Sequence, residues 1–267
     1  MPRFLSFRSR RRRVDQPMTV VEHLEELRRR LIVSLVALSV GVVGAFIAQK
    51  PVFAVVKRPL AGLTRTHPNL QLVTFSPTEP FMTVLKVSFY VGLLVAIPVI
   101  LWEFWSFIMP ALHENESRTV LPYVALTTGL FLFGVVFGYF LVLPVGITWL
   151  INFGGTLFQQ ELRASDYISF FVLFLLAFGI VFEMPVVLIT LAALRVVNSR
   201  TLRQKRRWAI LINAVVAAAA TPSQDPFSMI LMMIPLLILY ELTILLIQGM
   251  ERRRERRISR ADAGLTG

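Results

Sequence analysis

The side chains that could do chemistry here are glutamates in unusual places. Glu183 lies in FGIVFEMP, with sixteen uncharged residues before it, eleven after it and Pro185 two positions on. An acid in such a setting is costly unless it meets a partner, a wet cavity or a neighbouring helix. Glu241 is the other acid inside an apolar block, and its place near the block's end suits snorkelling or pairing with a nearby arginine. A second group forms between apolar blocks: Glu103, Glu114 and Glu116 stand against one basic residue, Arg118, with Trp102, Phe104, Trp105 and Phe107 among them. An acidic, aromatic patch suits a cation, above all a guanidinium whose fork matches a carboxylate. The same acids equally suit capping the helix that follows, at its positive end. A third group, Glu22, Glu25 and Glu26, lies in TVVEHLEELRRRL. Thr19 and Glu22 have capping-box spacing, and Glu25–Arg29 and Glu26–Arg30 are i,i+4 pairs in the favourable order.

Other chemistries find little support. His113-Glu114 opens an HE pair, but Ser117 stands where HExxH needs histidine, and His23 and His67 have no ligand spacing around them. Without cysteine there is no disulfide, thiol nucleophile or thiolate metal site. No P-loop, GxSxG elbow or aspartate pair within an apolar block occurs. The expectation is a protein that is not an enzyme, with no catalytic residues, no metal and no cofactor.

The elements that carry these acids follow from composition. Of 267 residues 55% are hydrophobic and 16% charged, and mean hydropathy is +0.67. The apolar residues come in unbroken blocks, which fits membrane helices and not the alternation of barrel strands. Expected spans are 31–48, 81–102, 119–143 (ended by Pro144), 167–194, 208–220 and 227–247. The proline-rich stretch 49–80 and residues 146–165, with Gly154-Gly155 at the turn, are expected outer loops, and 103–118 an inner one. The fifth segment is only about 20 Å long as a helix, short of a core of about 30 Å. Charge still favours a sixth crossing. With the N-terminus inside, 22 of the 28 Arg and Lys fall on inner segments; one crossing fewer would put the six arginines of 252–260 outside. The net charge of +12 is therefore explained by membrane topology, and no nucleic-acid partner is expected. The expected fold is all-α and polytopic. It has six transmembrane helices, the fifth and sixth short, with both termini cytoplasmic. Residues 1–18 and 250–267 read as basic tails on a domain at 19–249.

Five segments in order give a resemblance: HLEELRRRL, KRPL, PVILWEFWSFIMPALHENE, FGIVFEMP and TPSQDPFSM. Together they resemble the TatC family, the multi-spanning subunit of the bacterial twin-arginine protein translocase. The resemblance implies a core receptor in the inner membrane, which binds signal peptides with paired arginines at its cytoplasmic face. It implies export of folded proteins driven by the proton-motive force, small single-span TatA/TatB-type subunits as partners, and further copies of itself in a complex. On matched positions it implies a signal-peptide site at Glu26, Arg28, Phe107 and Glu116. It further implies a partner- or signal-facing polar site at Glu183, and structural or assembly roles for Pro59 and Asp225. The alternative from another class is a proton- or cation-coupled small-solute transporter using Glu183 as relay; the lack of internal repeats counts against it.

Overall fold

The computed structural model describes residues 20–63, 71–112, 120–153, 161–221 and 225–265. Thr19, His67, His113, Glu114, Glu116, Arg118, Gly154-Gly155 and Ser223 lie outside the described residues.

The chain is built of helices, with one pair of two-residue strands among the described residues. Helix α1, Val20–Ile47, runs through the VVEHLEELRRR segment and the expected first span without interruption. After it α2, Gln49–Ala61, and strand β1, Leu72–Val73, order much of the proline-rich loop. The helix tolerates Pro59 for a specific reason. Proline has no N–H to give the carbonyl four residues back, Val55. The Tyr139 hydroxyl donates to that carbonyl at 3.0 Å, and the Tyr167 hydroxyl donates to the adjacent Val56 carbonyl at 2.7 Å.

Helix α3, Glu79–Leu112, corrects the expected loop at 103–118: its first ten residues continue the second span. EFWSF holds no glycine or proline to stop a helix, and α1 lies alongside to pack against it. The two helices cross where Gly41 faces Gly92; a Cβ on Gly92 would fall 2.4 Å from the Val42 nitrogen. Small residues thus let the backbones touch.

The third span does not end at Pro144. Helix α4, Val120–Phe137, passes through a π-helical turn, Gly138–Val142, into α5, Leu143–Phe153. Widening to i→i+5 bonding, with Leu143 N–H donating to the Gly138 carbonyl, rearranges the ladder just before the proline. Strand β2, Leu162–Arg163, then pairs in parallel with β1, Leu72 opposite Leu162 and Val73 opposite Arg163.

Helices α6, Ala164–Phe182, and α7, Met184–Ala193, form the fourth span and meet at Glu183. Phe170, Phe174, Phe178 and Phe182 recur every fourth residue and stack in sequence, with Phe133 and Phe137 of α4 against the last two. This phenylalanine column, with Leu143, Ile168 and Met232, is the centre of the core. Helix α8, Ser199–Gln204, leads to α9, Arg206–Ala220, which at 15 residues is short as expected.

The expected short sixth helix is corrected: α10, Pro226–Leu265, runs 40 residues. Its tail, MERRRERR, consists of good helix formers, so the helix does not end where hydrophobicity does. Among the described residues, five helical stretches are long and apolar enough to cross a membrane: Val21–Ile47, Glu79–Ile108, Leu121–Phe153, Ala164–Ala193 and Pro226–Arg256. Helix α9, about 22 Å long at 1.5 Å per residue, is below that length.

Candidate functional site

The N-terminal part of α1 lies against the C-terminal part of α3, and their facing residues form a polar seam. His23, Glu26 and Arg30 follow at i, i+3 and i+7, one face of α1; Glu103 and Phe107 are one turn apart on α3. The His23 and Phe107 rings stack with centroids 4.4 Å apart and planes 16° apart. Farther along, the Arg30 guanidinium sits between two carboxylates. Its Nε donates to Glu26 Oε1 at 3.0 Å and its Nη1 to Glu103 Oε2 at 3.1 Å, while Nη2 also pairs with Glu26 Oε1. The three side chains are 18–26% exposed, so solvent and solutes reach them.

Of the expected binding residues, Glu26 and Phe107 share this seam. Arg28 is exposed two positions from Glu26, which turns it to another face of α1. Glu25 and Arg29 are exposed and form no ion pair among the described residues. The aromatics expected as one wall are divided, because α3 continues as a helix and rotates each residue by about 100°. Trp105 is buried against Val124 and Val186, whereas Trp102 and Phe104 are exposed. Glu103 was visible as an acid, but its partner Arg30 is 73 positions away, a pairing that depends on α3 remaining helical.

Glu183 caps the end of α6, donating its N–H to the Ile180 carbonyl at 3.0 Å. Its side chain is half-buried, and its Oε1 makes no hydrogen bond. Leu173, Ile180 and Val187, at seven-residue intervals on the same side of the broken helix, are exposed. The acid is half-buried beside this outward apolar face, with its Oε1 enclosed. Glu241 pairs with Arg206, Nη2 to Oε2 at 2.6 Å.

At the far end of α3, Glu79 accepts from Phe75 N–H at 2.9 Å, Arg163 Nε at 3.0 Å and Ser165 N–H at 3.3 Å. It ties both loops of the β1–β2 pair together, and its hydrogen bond raises the Arg163 guanidinium above its ordinary value. Lys86 is exposed, and its Nζ donates to Ser169 Oγ at 2.9 Å. Asp225 caps α10, its Oδ1 accepting from Ser228 N–H at 2.7 Å with Pro226 in the first helical position. Sequence patterns gave no hint of Glu79, because its partners come from a loop on either side of two spans. Among the described residues no group of three or more His, Cys, Asp or Glu could hold a metal ion.

A family model for TatC, the Sec-independent protein translocase protein, matches residues 22–235. The chain belongs to the TatC family. It is 40% identical over 246 residues to the TatC of Aquifex aeolicus, covering 91% of this chain and 100% of that one. It is 42% identical over 227 residues to the TatC of Deinococcus radiodurans, 84% of each chain. A crystal structure of a TatC described as the twin-arginine translocase receptor superposes with a TM-score of 0.75 at 41% identity. That match covers 85% of this chain and 98% of the other. A crystal structure described as the twin-arginine translocase receptor TatC in DDM gives 0.76 at 42% identity, over 85% of this chain and 99% of that one. The matched region 22–235 contains the α1–α3 seam, Glu183 and the α9–α10 turn.

Proposed function

We propose that this TatC-family protein is the receptor and core subunit of a twin-arginine translocase in the bacterial inner membrane. It binds the paired arginines of a signal peptide at its cytoplasmic face and takes part in exporting folded proteins, driven by the proton-motive force. Glu26, Arg28, Phe107 and Glu116 form the signal-peptide site. Glu26 and Glu116 supply carboxylates, Phe107 supplies an aromatic surface, and Arg28, turned about 200° from Glu26, lies near the far side of the same helix. One observation carries this reading: the α1–α3 seam already holds a guanidinium, that of Arg30, between Glu26 and Glu103. The local chemistry is suited to arginine.

Six crossings with both termini inside account for the charge distribution, with the basic stretches 1–18, 195–207 and 250–267 on the cytoplasmic side of a unit at 19–249. The short α9 then crosses by local thinning of the bilayer or by packing against α10. Small single-span TatA/TatB-type subunits, or the signal's own helix, pack on the outward apolar face beside Glu183, which is half-buried with its Oε1 enclosed and unbonded; a shift of the side chain on association gives that oxygen a partner. Pro59 in α2 and Asp225 at the start of α10 have structural or assembly roles, and further copies of the chain join the complex. The test is binding of the purified protein to a signal peptide with paired arginines and to the same peptide with paired lysines. Arginine-selective binding that Glu26→Gln weakens is the expected result; equal affinity for both peptides would overturn the proposal.

A further inference from the structure

The guanidinium between Glu26 and Glu103 belongs to the protein itself, and the way it is held suggests a use. A strong arginine–carboxylate pair uses two donors on two oxygens of one carboxylate. Arg30 does not pair in this way with either acid. Its Nε and Nη2 converge on the single oxygen Glu26 Oε1, and Nη1 reaches Glu103 Oε2, with a longer 3.4 Å contact to the Glu103 carbonyl. Among the described residues, Glu26 Oε2 and Glu103 Oε1 accept no hydrogen bond. The three side chains remain 18–26% exposed, so the contact is reachable and screened by water. A single-oxygen, partly solvated contact is one that a guanidinium with better geometry can replace.

We propose that Arg30 is a built-in competitor. It occupies in the resting protein the carboxylates that an arginine of the signal takes, and Glu103 is thereby part of the site. This rests on the receptor reading above. When the incoming guanidinium engages Glu26 and Glu103, Arg30 swings away into solvent, as its long side chain at the edge of the seam allows. A ligand that must first open an internal contact binds more weakly by the fraction of time the site is open. Arg30 thus sets a threshold. It lowers affinity for every cationic pair by one common factor, which keeps stray lysines and arginines off the site and eases release of the signal. Selectivity between arginine and lysine pairs comes from the carboxylate geometry and not from Arg30.

The experiment measures affinities of the purified full-length protein for fluorescent signal peptides with paired arginines and with paired lysines. Parent, Arg30→Gln, Arg30→Lys and Arg29→Gln are compared, with thermal unfolding as a check on integrity. Arg29→Gln removes the same charge from an exposed neighbour that contacts neither acid. Arg30→Gln is expected to tighten both peptides by roughly 1.5- to fivefold, the range of a partly exposed ion pair, and by the same factor. Arg30→Lys, which keeps the charge and loses the fork, is expected to tighten them less, and Arg29→Gln to change them little. If Arg30→Gln does not fold, the sign of the Arg30→Lys change decides. Unchanged or weaker binding, or a gain equalled by Arg29→Gln, would overturn the competitor. Failure of the parent to prefer the arginine peptide would instead overturn the receptor reading on which it rests.

Discussion

The Tyr139 hydroxyl bonds the Val55 carbonyl, the one backbone acceptor that Pro59 leaves without its helical donor. A proline in α2 is thereby tied to a tyrosine in the π-helical turn, through a bond that spans 84 residues from Val55 to Tyr139. Tyr139→Phe should lower stability by about 1 kcal/mol, the usual net value of a hydrogen bond. In a Pro59→Ala background the same change should cost less, because residue 59 then supplies the N–H. A double-mutant cycle by thermal unfolding reads this coupling; additive losses would mean the two residues act independently.

Glu79 predicts an asymmetry at the other end of α3. It is buried and accepts three hydrogen bonds, whereas Arg163 is about half exposed. Glu79→Ala leaves the Phe75 and Ser165 N–H groups and Arg163 without their acceptor, so it should lower the melting temperature more than Arg163→Ala does. The reverse order would mean that the carboxylate is a passive neighbour of the β1–β2 pair.

For Glu183 the expected effect is on association. Glu183→Ala should leave the protein folded and inserted yet reduce cross-linking to the small single-span subunit, and Glu183→Gln, which keeps hydrogen-bonding capacity, should be milder. Loss of thermal stability with persisting cross-links would make the glutamate an internal tie instead.

Topology can be read by labelling this cysteine-free chain. A cysteine at Ser223, between Thr221 and Asp225, should react with an impermeant reagent from outside intact cells, and one at Ser199 should not. Labelling of Ser223 only from the inner side would make α9 a re-entrant segment and give five crossings.

The five long apolar helices were legible because hydrophobic blocks of this length have few alternatives. The ends of the helices were not. Hydrophobicity falls at Glu103 and again after Gly249, yet α3 and α10 continue, since helix formation depends on propensity and neighbours more than on hydropathy. The candidate site was half visible. Glu26 and Phe107 could be named from family segments, whereas Arg30–Glu103 and Glu79–Arg163 join residues more than seventy positions apart and appear only in the packed structure.

The receptor function is tested most directly by the affinity of the purified protein for an arginine-pair signal peptide, measured for the parent and for Glu116→Gln. Loss of a charged hydrogen bond predicts weakening by about 1.5–3 kcal/mol, with thermal unfolding unchanged. Glu26→Gln should act in the same direction but less, because its carboxylate is already shared with Arg30. Equal binding by Glu116→Gln and the parent, in a protein that unfolds at the same temperature, would contradict the account.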